Sequence, residues 1–155
     1  MTEAKQESVP EEKLVSIVRD FEEAYTKRDV EKMMTFFTED AVWVAPEGVF
    51  SGKNEVRRYL TWYSPEDFQI KLIDAGIGVA VKENKAVIQC TLEATSPAGV
   101  KCETPVISVY EFSGEKIQRK TVVFDRLSIA NQAAKGGLDK LVMGVVLGRL
   151  EKGLR

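Results

Sequence analysis

The spacing of the apolar residues changes once along this chain. Up to residue 63 they recur every three or four positions, which is typical of helices and predicts three of them, beginning after Pro10, Asp29 and Ser51, with short strands at 41–45 and 49–50. From residue 68 they alternate in four long runs, at 68–81, 85–95, 101–112 and 116–125. Short connections join these runs into hairpins. Helices followed by an antiparallel meander predict an α+β domain, with the helices on one face of a curved sheet.

The composition narrows the classes of function. The chain has 155 residues, which is the size of one domain, and its formal net charge of −2 gives no basic surface for nucleic acid. It contains no histidine, the commonest ligand of catalytic zinc and non-haem iron. We therefore predict no metal and no other cofactor. Acid–base chemistry would have to use carboxylate, tyrosine, lysine or cysteine side chains.

Both ends of the chain differ from its centre. Residues 1–9 are polar and acidic and predict a mobile tail rather than a signal peptide. No apolar run has the length of a membrane span, so we expect a cytoplasmic protein without membrane contact. Residues 10–132 form the predicted domain, and 133–155 a helical extension packed on the domain or on a partner. The simplest arrangement is a helix packed on its own domain. Gly144 and Gly148 would let another backbone come close, so a lid over the cavity and a dimer contact are the two alternatives.

Four segments carry a resemblance to a known superfamily. They are RDV at 28–30, FTEDAVW at 37–43, FSGKNEV at 50–56, and GEKI at 114–117 running to FD at 124–125. Their order resembles the nuclear-transport-factor-2-like (NTF2-like) superfamily, which includes ketosteroid isomerases, limonene epoxide hydrolases and SnoaL-like polyketide cyclases. The resemblance implies a cone-shaped fold, with three N-terminal helices on a strongly curved, mostly antiparallel sheet. The C-terminal helix would be an addition to it.

The resemblance does not carry over the ketosteroid isomerase site. Those enzymes have a tyrosine on the first helix, an aspartate base on the first strand and a second aspartate in the sheet. The matching positions here are Phe21, Ala45 and Ser108. Enolisation needs both a base and an oxyanion donor, so this activity is not expected.

The epoxide hydrolase site is also missing. In those enzymes a Tyr and an Asn bind the water, and an Asp–Arg–Asp set forms the rest of the site. The matching positions here are all uncharged: Trp43, Ala45, Gln89, Thr91 and Val122. The acidic residue of SnoaL-like cyclases also falls at Val122. Whether the chain is an enzyme stays open.

The resemblance also implies which side chains face the cone. Glu93 and Lys120 are the candidate catalytic groups. The candidate ligand-binding residues are Phe21, Trp43, Tyr59, Gln89, Thr91, Ser108, Tyr110, Val122 and Phe124.

One strand has two possible orientations. In the first, the polar Gln89, Thr91 and Glu93 face inward, Cys90 faces outward, and a partner covers the outer face. In the second, the apolar set Ile88, Cys90 and Leu92 faces inward and Glu93 lies in solvent, since a shift of one residue exchanges the two faces.

Three functions follow from these observations. The first is a domain that binds a small apolar ligand in its cone. The second is an isomerase, cyclase or hydrolase that uses Glu93 and Lys120. The third is a protein-association domain that forms a homodimer through its outer sheet face.

Overall fold

The computed structural model describes residues 9–63 and 69–152. The predicted tail at residues 1–9 lies outside this part of the chain except for residue 9. The helices are α1 (Glu11–Thr26), α2 (Val30–Met34), α3 (Lys53–Tyr63), α4 (Arg126–Ala133) and α5 (Gly137–Leu150). The strands are β1 (Phe37–Ala45), β2 (Gly48–Ser51), β3 (Gln69–Lys82), β4 (Lys85–Thr95), β5 (Lys101–Ser113) and β6 (Lys116–Phe124).

The first two helices begin where the sequence predicts. Pro10 precedes α1, and Glu11 and Glu12 in its first turn suit the positive end of the helix dipole. Asp29 caps α2, because its carboxylate accepts a 2.9 Å hydrogen bond from the backbone N–H of Lys32.

A single curved sheet forms the other layer of the domain. Its six strands have the order β2-β1-β6-β5-β4-β3, and every neighbouring pair is antiparallel except β1 with β6. The β3–β4 register shifts between Asp74 and Val79. Gly76 and Gly78 there have φ values of 90° and 76°, which favour glycine, and both donate backbone N–H groups to the Asp74 carboxylate. The bend at these glycines is thus a β-bulge.

Two further features lie at the C-terminal side of the sheet. A further helix, α4, follows β6; Asp125 caps it by accepting a 2.9 Å hydrogen bond from the backbone N–H of Ser128. Pro105 lies in an inner strand, although proline predicts an edge or a bulge. It is opposite Thr91 of β4, but the pairing of β5 with β6 starts only at Val106, so Pro105 has a local edge on that side.

The core lies between the helices and the sheet. Its centre is Phe21 of α1, whose ring meets those of Phe37, Tyr110 and Trp43 at centroid distances of 5.5, 5.9 and 6.1 Å. Among the described residues, none of the helices has the length and apolar character that crossing a bilayer requires.

Candidate functional site

A small cavity lies between the helices and the sheet. Its volume is about 30 Å³, which is room for about two water molecules. The lining residues come from α1, α3, β1 and the four long strands, and most of them are apolar or aromatic. They are Glu22, Tyr25, Trp43, Tyr59, Tyr63, Leu72, Ile88, Cys90, Leu92, Val106, Ser108, Lys120, Val122 and Phe124.

Strand register determines which sheet residues meet in this cavity. Lys120 of β6 lies between Trp43 of β1 and Tyr110 of β5 as their direct cross-strand neighbour. The next inward row is Ile88, Ser108 and Val122, and the third is Cys90, Val106 and Phe124. Because side chains alternate along a strand, each row lies two residues from the one before and shares its face.

Three polar residues form a connected group at the Lys120 row. The Lys120 ammonium donates hydrogen bonds to the Glu22 carboxylate at 3.1 Å and to the Tyr110 hydroxyl oxygen at 2.7 Å. The Tyr110 hydroxyl in turn donates to the same carboxylate oxygen of Glu22. The Lys120 side chain is 3% exposed and the Glu22 side chain 12%. Each charge therefore has an opposite charge or a hydroxyl beside it, as buried charges require.

Aromatic rings surround the same ammonium group. The Lys120 Nζ atom lies 4.3 Å from the ring centroid of Phe21, 4.6 Å from Tyr110, 4.9 Å from Trp43 and 5.7 Å from Tyr25. These ring faces and Glu22 favour the charged form of the amine. Burial outweighs the ion pair and lowers the pKa of Lys120.

The tyrosines of the cavity are held in the neutral form. Burial raises the pKa of Tyr25, Tyr59, Tyr63 and Tyr110. The Tyr59 hydroxyl also donates a 3.0 Å hydrogen bond to Glu47, whose negative charge raises the pKa of Tyr59 further. At neutral pH these phenols can therefore donate hydrogen bonds but do not act as bases.

The buried indole N–H of Trp43 has no hydrogen-bond acceptor within the described part of the chain. Over residues 9–63 and 69–152, no three cysteine, aspartate or glutamate side chains come together in a way that would hold a metal ion.

The structure brings many of the predicted site residues together. Six line the cavity: Trp43, Tyr59, Ser108, Lys120, Val122 and Phe124. Phe21 and Tyr110 lie directly behind the lining, in contact with the Lys120 ammonium.

The inward orientation predicted for Gln89, Thr91 and Glu93 is wrong. Ile88, Cys90 and Leu92 are buried and line the cavity, so β4 has the second of the two orientations. The free energy gained by burying the apolar set determines the orientation of β4, because turning the strand over, as the resemblance implies, would expose three apolar side chains.

Glu93 therefore does not meet Lys120. It lies opposite Lys71 of β3 and Glu103 of β5, and borders a separate surface groove that also includes Gln132. Cys90, expected to face outward in that orientation, lines the cavity, and burial raises the pKa of its thiol to about 11. Cys90 and Cys102 are both free thiols.

Glu22 is the cavity residue that the sequence interpretation missed. It lies four residues after Val18 and three before Tyr25, within the apolar stripe of α1. A carboxylate at such a position faces the core and needs a cationic partner, and this signal is present in the sequence.

Comparison with known proteins agrees with the observed fold. The model of the SnoaL-like domain matches residues 18–120, which include the second half of α1, all of α2 and α3, and most of the sheet. The chain belongs to the SnoaL-like domain family. No curated protein has a significantly similar sequence.

Several solved structures have the same fold as this SnoaL-like chain. An NTF2-like protein of unknown function from Burkholderia pseudomallei is 19% identical, with a TM-score of 0.64 over 73% of this chain and 91% of that one. An epoxide hydrolase from M. tuberculosis, similar to limonene epoxide hydrolase, is 16% identical, with a TM-score of 0.68 over 88% and 98%. A protein from Catenulispora acidiphila with a ketosteroid-isomerase-like fold, in complex with trimethylamine, is 14% identical, with a TM-score of 0.68 over 77% and 93%. At these identities the likeness concerns the fold alone.

Proposed function

We propose that this SnoaL-like domain binds a small, mainly apolar molecule that carries one hydrogen-bonding oxygen. The observation behind the proposal is the contrast within the cavity. Its walls are aromatic and aliphatic, whereas the charged groups among its described lining residues are Glu22 and Lys120. Apolar walls with a few convergent polar groups are typical of small-molecule sites.

The polar end of the cavity favours an oxygen acceptor on the ligand. An ammonium group has three N–H donors. Lys120 directs hydrogen bonds to Glu22 and Tyr110, so a carbonyl or hydroxyl oxygen of a ligand would use the remaining N–H or the Ser108 hydroxyl.

The size of the cavity limits the ligand. A volume of about 30 Å³ is far below the roughly 300–1,000 Å³ of drug-sized pockets. A ligand with one ring therefore already requires the partly buried walls to move outward, and a polycyclic one would require a much larger movement. Tyr63, Leu72, Val122 and Phe124 are only partly buried, so they form the side of the cavity that is nearest to solvent.

Trp43 provides a direct test of binding. The chain has two tryptophans, and Trp62 is 65% exposed, so Trp62→Phe leaves Trp43 as the only indole reporter. Its fluorescence would be titrated with cyclohexanone, cyclohexanol and methylcyclohexane, which are similar in size and differ in the oxygen. We expect the two oxygen-containing compounds to bind more tightly, by about tenfold for one added hydrogen bond.

Lys120→Met, verified as folded by circular dichroism, should remove this preference, whereas Lys85→Met, on the protein surface, should keep it. No response of Trp43 to any of the three compounds, or equal affinity for all three in the Trp62→Phe protein, would contradict the proposal.

A second candidate function is acid–base catalysis at the same site. It rests on Glu22 instead of Glu93, because Glu22 is the carboxylate that shares the cavity with Lys120. Glu22 would remove a proton next to a ligand carbonyl while Lys120 donates a hydrogen bond to the carbonyl oxygen. The test is deuterium exchange from D₂O into cyclohexanone, followed by NMR. Exchange that Glu22→Gln abolishes, in a variant that circular dichroism shows to be folded, would support catalysis, and exchange no faster than in buffer would exclude it for this ketone.

The outer face of the sheet supports the predicted homodimer. Ile107 and Val123 are direct cross-strand neighbours, and 43% and 58% of their surfaces are exposed. We propose that a second copy covers this apolar face. Light scattering should show a dimer that Ile107→Asp weakens, and a dimer unaffected by this change would exclude the face.

The cytoplasmic location also remains a prediction.

A further inference from the structure

The C-terminal helix α5 is apolar but scarcely covered. Leu138, Val142, Val146 and Leu150 are between 38% and 72% exposed. Among the described residues its only substantial contact with another element is with α4. A helix with apolar residues around most of its circumference is normally buried. Something outside the described chain is therefore needed to cover α5.

The residues of α5 make the helix weak without such a cover. Gly144 and Gly148 lie in its interior, and an interior glycine costs roughly 1 kcal/mol relative to alanine. A Cβ atom at either position would meet no described atom within 4 Å, so close packing inside the domain does not require these glycines. Gly136 at the N-cap provides no side-chain hydrogen bond. Isolated helices of about 14 residues are marginal in water, and this one is poorer than average.

Four exposed residues form a ridge that is symmetric along the helix. Leu138, Val142, Val146 and Leu150 follow one another at intervals of four, so they lie along one side. The ridge has leucine at both ends and valine at both inner positions. Turned end for end, it presents the same sequence of side chains, as a twofold-symmetric contact requires.

Two of the three charged residues of α5 are placed about the same midpoint, and the third is Lys140. Asp139 lies five residues before Gly144 and Arg149 five residues after it. If two such helices lie antiparallel, Asp139 of each copy is level with Arg149 of the other. If they lie parallel, like charges are level at both positions. The charges therefore favour the antiparallel pair.

We propose that α5 packs antiparallel against α5 of a second copy, about a twofold axis between Val142 and Val146. Two short helices bury less than the standard interface of about 1,600 Å², so the pair should form in the micromolar range and depend on concentration. This contact uses a different surface from the outer sheet face and does not rest on ligand binding.

The test uses two single-charge variants of the full chain and their mixture. Asp139→Arg places arginine level with Arg149 of the second copy, and Arg149→Asp places aspartate level with Asp139. We expect each variant alone to dimerise about tenfold more weakly than wild type. In an equimolar mixture, one copy of each restores opposite charges at both ends. Sedimentation velocity should therefore show heterodimers of wild-type affinity.

Two further variants locate the contact. Val142→Asp should abolish this association, whereas Ile77→Asp, at an exposed apolar residue of β3, should not. Ile107→Asp on the outer sheet face should also leave it unchanged, which separates it from the sheet dimer. Circular dichroism verifies that each variant is folded.

Three results would overturn the proposal. The first is a wild-type protein that is monomeric at all concentrations. The second is an Ile107→Asp protein, in which the sheet contact is disrupted, whose remaining dimer is indifferent to Val142→Asp. The third is a dimer that Val142→Asp disrupts but that neither charge variant weakens, since this excludes the antiparallel register. If Val142→Asp instead changes only the affinity of Trp43-monitored ligands, α5 is a lid.

Discussion

The Lys120 ammonium lies 3.1 Å from the Glu22 carboxylate, although the two residues are 98 positions apart in the sequence. One comes from the first helix and the other from the last strand, so this ion pair exists only in the folded chain. Because the pair lies in the cavity, changes to it should affect both the stability of the fold and the binding of a ligand.

Removing one charge of this pair should destabilise the protein strongly. Glu22→Gln leaves the Lys120 ammonium buried without a counter-ion, and such changes typically cost about 3–5 kcal/mol of unfolding free energy. Glu22→Gln with Lys120→Met removes both charges and should recover most of that loss. Urea unfolding of the four members of this double-mutant cycle measures the coupling. Additive effects of the two changes would show that the pair contributes nothing.

Stability should fall steeply as the pH rises above about 10. Burial raises the pKa of all four tyrosines, whose ordinary value is 10.0, so the unfolded chain releases these protons before the folded one. Above pH 10 the unfolded state therefore binds fewer protons, and each tyrosine lowers stability by about 1.4 kcal/mol per pH unit.

The titration of Lys120 has the opposite effect on stability, because the pKa of Lys120 is lowered on folding. It is a single group, however, and the four tyrosines together outweigh it. Ultraviolet absorbance of tyrosinate, followed with circular dichroism against pH, measures the effect. Tyrosines that ionise near pH 10 while the protein is still folded would contradict it.

The two thiols should differ in reactivity. Burial raises the pKa of Cys90 to about 11, so little thiolate is present at neutral pH, and the cavity walls restrict access. Ellman's reagent should modify native Cys90 slowly and Cys102 faster, with Cys90→Ser and Cys102→Ser identifying each phase. A saturating cavity ligand should slow Cys90 further. Rapid reaction of Cys90 in the folded protein would show that the cavity is open.

The stability changes caused by substitutions along β4 should agree with the observed orientation of this strand. Leu92→Ala removes a buried side chain and should lower the unfolding free energy by about 2–5 kcal/mol. The neighbouring side chains of Thr91 and Glu93 lie on the other face of the sheet. Thr91→Ala and Glu93→Ala should therefore change the unfolding free energy by only about 0.5 kcal/mol. Urea unfolding compares the three directly. A larger loss for Glu93→Ala than for Leu92→Ala would mean that β4 is turned over.

Local patterns in the sequence predict most of the fold. The apolar spacing of α1, the Asp29 cap of α2 and the hairpin connections lead to elements that the structure confirms within a few residues. The bend at Gly76 and Gly78 is also predictable, because positive φ values favour glycine. Helix α4 was not predicted, because apolar spacing in so short a segment is a weak signal.

The candidate site is less predictable than the fold. Trp43 and Lys120 were expected in the cavity, since strand alternation fixes their face once the fold is assumed. The orientation of β4 was open by one residue, and the choice taken from the resemblance placed Glu93 inward in error. The apolar set Ile88, Cys90 and Leu92 indicates the observed face when burial alone is considered.

The sequence by itself determined the order of helices and strands, their caps and turns, and the kind of fold, because these depend on residues near one another in the chain. Only the tertiary structure decided that Glu22 is the partner of Lys120, that Tyr110 bridges them, and that aromatic rings enclose the ammonium. These contacts join α1 to β5 and β6, and their distances depend on how the sheet curves around the helix. This curvature cannot be predicted from residues that are neighbours in the sequence.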